Sequence, residues 1–98
     1  MKKDDCPVVV ICGASAGVGR ATAHAFAAAG YAVGLLARSD EGLAAATSEL
    51  EAYATPTLAI SADVADANAL ALAAQRFEAE LGPIDVWVNS AMVTVFAA

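Results

Sequence analysis

The chain has 98 residues, 59% of them hydrophobic and 16% charged, and carries a net charge of −6. That length supports one small domain, the composition is globular rather than disordered, and the negative field disfavours nucleic acid and anionic membranes. A charged fraction this low in so short a chain implies some apolar surface that expects a partner, and a small anionic ligand stays admissible because local donors decide that at close range.

In chain order, Met1-Lys2-Lys3-Asp4-Asp5 lacks the pattern of a secretory signal, and no apolar run approaches the roughly 20 residues of a membrane span. Val8 to Cys12 is a β-branched run closed by Gly13. Its continuous apolarity predicts a strand covered on both faces. Gly17 to Ala29 is an alanine-rich helix pattern stopped by Gly30, with Val18, Thr22, Ala25, Phe26 and Ala29 as the expected inner face. Tyr31 to Ala37 reads as a second strand. Asp40 to Tyr53 reads as a second helix with Leu43, Ala46, Thr47, Leu50 and Tyr53 at helical spacing. Thr57 to Ser61 is the third strand. A third helix from about Asp66 to Leu81, capped by Asp66, carries the stripe Leu70, Ala73, Ala74, Phe77 and Leu81. Pro83 then opens a fourth strand, Ile84 to Val88, and Met92 to Ala98 follows with no turn or helix signal. Strands alternating with helices predict parallel βαβ units. The fold expected is a Rossmann-type α/β sheet, β-α-β-α-β-α-β, truncated after the fourth strand. Such a sheet leaves the outer edge of the fourth strand, with Trp87 and Val88, bare, and predicts self-association through it.

Cys6 and Cys12 would stand roughly 20 Å apart along an extended segment at about 3.3 Å per residue, too far for a disulfide. Reduced thiols predict a cytoplasmic protein. Cys12, at a strand end beside a helix N-terminus, is either a thiol of lowered pKa or a small buried strand residue. His24, the only histidine, supplies neither a metal site nor a triad and reads as surface or edge packing.

The segment with the most chemistry is Cys12-Gly13-Ala14-Ser15-Ala16-Gly17-Val18-Gly19-Arg20, between the first strand and first helix. Glycines permit a tight turn, let a pyrophosphate approach the backbone, and allow helix and strand to pack closely. Helix-start amides then face the anion. The bland alternative is an ordinary strand-to-helix turn. At the end of the second strand, where an acid would bind the ribose of NAD, stands Arg38. A guanidinium there favours a 2′-phosphate, hence NADP over NAD, with Ser15 as an added donor. The alternatives are a solvated Arg38 and Asp40 as ribose acceptor. Asp63-Val64 follows the third strand at the same edge; Asp63 accepts from an adenine or caps its turn. Asn89, after the fourth strand, touches ligand or holds its turn.

These four motifs, CGASAGVG, LAR, Asp63-Val64 and Asn89-Ser90-Ala91-Met92, resemble in order and spacing the cofactor half of the short-chain dehydrogenases/reductases. The resemblance implies that Gly13, Gly17, Val18 and Gly19 line the pyrophosphate, that Ser15 and Arg38 recognise the 2′-phosphate of NADP, that Asp63 and Val64 hold the adenine, and that Asn89 and Ala91 contact cofactor or brace the central strand. Departures are Cys12 where the family has threonine, whose hydroxyl ties the loop, Ser90 where it has a second asparagine, keeping some hydrogen bonding, and Met92 where it has glycine. The family's catalytic serine and Tyr-x-x-x-Lys lie beyond this stretch, and neither Tyr31 nor Tyr53 is followed by the required lysine. The expectation is one NAD(P)-binding half-domain over residues 1–98 of an oxidoreductase, partnered by a nicotinamide dinucleotide and without turnover of its own. The competing reading is a non-catalytic nucleotide-binding or interaction module that pairs with another chain.

Overall fold

The structure, a computed structural model, describes residues 6–14 and 17–90 and the backbone of Thr94–Phe96. Strand β1 spans Val8–Cys12, helix α1 Gly17–Ala28, β2 Ala32–Ala37, α2 Asp40–Leu50, β3 Thr57–Ser61, α3 Ala67–Leu81, β4 Val86–Asn89 and β5 Thr94–Phe96. A 3-10 turn, Glu51–Tyr53, extends α2. The sheet order is β3-β2-β1-β4-β5. β1 pairs in parallel with β2 and β4, and β2 in parallel with β3, giving the expected Rossmann-type α/β arrangement.

Every residue of β1 and β2 is buried, as unbroken apolar runs require when helices cover both faces of a sheet. Alternation along the strands divides the core into two layers. Val9, Ile11, Val33, Leu35 and Ala37 face α1 and α2, meeting Ala23, Ala27, Leu43, Ala46 and Leu50. Val8, Val10, Cys12, Ala32 and Leu36 face α3, meeting Ala73, Phe77 and Leu81. Phe77 lies so close to β2 that a Cβ on Gly34 would stand 2.7 Å from its ring.

Local signals fix the helix ends. Ser39 Oγ accepts from Gly42 N at 3.0 Å to open α2, and Asp66 Oδ1 accepts from Asn68 N and Ala69 N to open α3. α3 closes at Gly82, as expected.

Two expectations are overturned. The buried face of α1 is Gly19, Ala23 and Ala27, while Val18 is 66% exposed. Side-chain size suggested the other face, but α1 lies close to β1 and β2, so its smallest residues, spaced four apart, turn inward. Phe26 packs only at the margin of that layer, edge-on to Tyr31 with ring centroids 4.8 Å apart. Nor does the sheet stop at a bare fourth strand. β5 pairs antiparallel with β4, in register Trp87↔Phe96, Val88↔Val95 and Asn89↔Thr94. An edge of unpaired amides captures the next β-prone stretch of the chain. The described sheet therefore ends on β3 and β5, and the premise for self-association at Trp87 and Val88 is gone.

Candidate functional site

Parallel register gathers the motifs at one edge. Cys12 stands opposite Leu36 on one side and Asn89 on the other, and Ala37 opposite Ser61. Gly13, Arg38, Asp63 and Ser90 thus all lie just past the carboxyl ends of their strands. Strand order reverses between β1 and β4, the switch point at which open parallel sheets bind ligands.

The glycine loop turns at that switch point. Gly13 (φ 80°) and Gly17 (φ 60°) both hold the left-handed conformation that a side chain disfavours. The amides of Gly13 and Ala14 donate to Leu36 O at 2.7 and 3.3 Å. The loop's first two donors are therefore spent on β2. Gly13 makes a turn here, and its own amide is already engaged within the protein. Among the described residues, the next donors of the loop are in the opening turn of α1, from Gly17 onward, where helix geometry supplies no intrahelical acceptor. Val18 stands exposed beside them. Gly19 is needed for proximity: a Cβ there would overlap Gly13 O and lie 2.5 Å from Ser90 Oγ. Ser90 Oγ donates to Cys12 O at 2.6 Å, with Gly13 O at 3.3 Å. The sequence allowed Ser90 some hydrogen bonding but could not name its partners, which lie 77 and 78 positions away. Ser15 and Ala91 lie outside the described residues.

Arg38 is exposed at the end of β2, and none of the ion pairs among the described residues involves it. Its carbonyl accepts from Ser61 Oγ at 3.2 Å, which ties the ends of β2 and β3 together. Asp40 begins α2 beside the Ser39 cap. Asp63 Oδ1 accepts from Ala65 N at 2.9 Å, the turn-holding role, while Val64 packs half-buried on the α3 side of the sheet. Asn89 presents a buried Oδ1 with no hydrogen-bond partner among the described residues.

The remaining candidate groups are structural. Cys12 is buried, and desolvation pushes its thiol up to about 11 despite an opposing hydrogen bond with Trp87. The lowered-pKa alternative is therefore wrong: burial outweighs the nearby helix end, and the thiol stays protonated at neutral pH. Both cysteines are free. His24 does more than pack at an edge. Its Nε2 donates to Glu49 Oε1 at 2.7 Å and its Nδ1 meets Tyr53 Oη at 2.9 Å. Arg20 grips the same carboxylate through Nε, at 3.1 Å, and Nη2. This clasp joins α1 to α2 and the following turn, and it uses Tyr53. Among the described residues no helix is long and apolar enough to cross a membrane.

The strand order, the two helical layers and the glycine turn between β1 and α1 define a Rossmann-type α/β domain. A family model for short chain dehydrogenase matches residues 7–98, and the chain belongs to that family. A short chain dehydrogenase of Pseudocercospora fijiensis is 35% identical over 84% of this chain and 26% of its own length. Among solved structures, a variant actinorhodin polyketide ketoreductase with NADPH superposes with a TM-score of 0.85 at 28% identity, covering 92% of this chain and 34% of that one. L-Sorbose reductase from Gluconobacter frateurii, complexed with NADPH and L-sorbose, gives 0.79 at 30% identity, covering 84% and 32%. The chain spans from 26% to 36% of the length of the first curated relatives it matches.

Proposed function

We propose that residues 1–98 form the NADP(H)-binding half-domain of a short-chain dehydrogenase/reductase-type oxidoreductase, in which the dinucleotide supplies or accepts hydride when bound. The observation that carries the reading is the alignment, at one sheet edge and around the switch point, of a glycine-turned helix start with an exposed arginine that has no ion-pair partner among the described residues. Two further features suit such a guest: the two left-handed glycines, and the buried Asn89 oxygen without a described partner.

In this reading the amides of Gly17, Val18 and Gly19 grip the diphosphate, aided by the positive end of α1. Arg38 clamps the 2′-phosphate, joined by Ser15, and selects NADP over NAD. Asp63 and Val64 border the adenine, and Asn89 and Ala91 face the cofactor from β4. Proton transfer needs a titratable group that these residues do not provide. Tyr31 packs edge-on to Phe26 and Tyr53 is engaged by His24, and neither precedes a lysine by four positions. Catalysis therefore belongs to residues other than these, and the substrate is an alcohol or carbonyl compound chosen elsewhere. Free thiols favour a reducing compartment such as the cytoplasm.

Calorimetric titration with NADPH and NADH tests the reading on the wild-type chain and on Arg38→Asp. The wild type is expected to prefer NADPH, and the substitution to abolish or invert that order. Equal affinity for both dinucleotides in the wild type would remove Arg38 from its role, and binding of neither would remove the function.

A further inference from the structure

We propose that Ser90 is a positioning residue that sets the glycine loop for the diphosphate, an inference that rests on the dinucleotide reading above. Three elements converge on its hydroxyl. Ser90 itself follows β4, the carbonyls of Cys12 and Gly13 end β1, and Gly19 opens α1. The hydroxyl has one proton, and the 2.6 Å separation gives it to Cys12 O, with Gly13 O at 3.3 Å as a secondary acceptor.

The Cys12 side chain cannot perform this task. It points into the α3-side core, buried among apolar side chains. The loop is instead held from both flanks by its backbone. On one flank its amides at Gly13 and Ala14 are drawn to Leu36 O of β2. On the other its carbonyls at Cys12 and Gly13 are drawn to Ser90 beyond β4. Opposed anchoring of N–H and C=O groups fixes the tilt of the peptide planes where the chain leaves β1. Gly19, in the first turn of α1, lies against the same Gly13 carbonyl, so that tilt bears directly on the start of α1. A preset loop binds an anion without a further ordering cost, whereas a loop free to rock loses affinity. The absent Cβ of Gly19 makes room for the arrangement, since any side chain there would displace the hydroxyl.

The consequence is specific. The tie acts on the diphosphate and not on the 2′-phosphate, which Arg38 serves at the end of a different strand. Ser90→Ala should weaken NADPH and NADH alike, by about three- to tenfold, the effect of one net hydrogen bond. The NADPH-to-NADH ratio should be unchanged, and so should affinity for adenosine 2′-monophosphate, which has no diphosphate. Ser90→Thr, which keeps the hydroxyl, should restore dinucleotide binding. In the ligand-free chain, hydrogen exchange at the Gly13 and Ala14 amides should accelerate in Ser90→Ala and return toward the wild-type rate in Ser90→Thr.

All titrations are run well below the melting temperature of every variant, so that folding does not limit binding. Unchanged dinucleotide affinity in Ser90→Ala overturns the proposal. So does an equal loss for adenosine 2′-monophosphate, which would mark a general loosening of the fold. Should the wild type bind no dinucleotide, the proposed function falls, and amide exchange alone then decides whether Ser90 holds the loop; no change in exchange would overturn that as well.

Discussion

Replacing Gly19 by alanine sets two known effects against each other. Gly19 lies within α1, and alanine there improves helix propensity by up to about 1 kcal/mol. The new methyl, however, would overlap Gly13 O and stand 2.5 Å from Ser90 Oγ. A flexible side chain could swing away, but a backbone carbonyl at a left-handed glycine cannot do so without moving the loop. Overpacking of this kind costs about 1–3 kcal/mol, and displacing Ser90 from Cys12 O costs about 1 kcal/mol more. The propensity gain offsets only part of this, leaving a net loss of about 2 kcal/mol. For a domain of this size each kcal/mol moves Tm by about 4–8 °C, so Gly19→Ala should melt roughly 8–16 °C below wild type in a circular-dichroism scan. Adding Ser90→Gly removes one of the two clashing atoms, so the double variant should lose less than the two single changes together. Gly17→Ala provides the contrast. Its Cβ meets no described heavy atom within 4 Å, so it carries only left-handed strain, about 1 kcal/mol. A Gly19→Ala variant as stable as wild type, or less affected than Gly17→Ala, would refute the packing argument.

Three other outcomes are expected. Gly34→Ala drives a methyl to 2.7 Å from the Phe77 ring and should destabilise by about 1–3 kcal/mol; in denaturant titrations Phe77→Leu should recover part of the loss, giving a non-additive cycle. Arg20 and His24 hold the Glu49 carboxyl down to about 2, against an ordinary value of 4.5. A depressed carboxylate stabilises the fold above its unfolded pKa and loses that contribution as pH falls through the folded value. The wild-type advantage over Glu49→Gln in urea midpoints should accordingly be constant above about pH 5, shrink from about pH 4.5 downward, and vanish only below about pH 2. It should also weaken with salt, because the cluster is solvent-exposed. Finally, a thiol reagent at pH 8 should label Cys6 quickly in the native chain and Cys12 only on unfolding, because Cys6 is half-exposed whereas Cys12 is buried with its thiol raised to about 11. Rapid labelling of both would place Cys12 outside the core.

The parts of the fold legible in the sequence are those set by neighbours along the chain. The VVVIC run and its counterparts had to be doubly covered strands, because apolar residues without alternation leave no face for water. Ser39, Asp66, Gly30 and Gly82 mark helix boundaries through bonds and backbone angles that span a few residues. The glycine spacing and Arg38 identified the candidate edge for the same reason, since parallel strands place all their carboxyl ends together.

Tertiary structure decided what depends on partners far along the chain. The sequence could not orient α1, because a helix rich in alanine has no dominant apolar stripe and only proximity to β1 selects Gly19, Ala23 and Ala27. The β4–β5 pairing came from an open edge and not from any turn signal. The His24–Glu49–Tyr53 clasp and the Ser90 tie bridge separations of 25, 29, 77 and 78 positions, where no local pattern can report a contact. Sequence thus determined which backbone groups would be offered at the candidate site, through intrinsic conformational preference. Only packing determined that two of them, the amides of Gly13 and Ala14, are already satisfied by the protein itself.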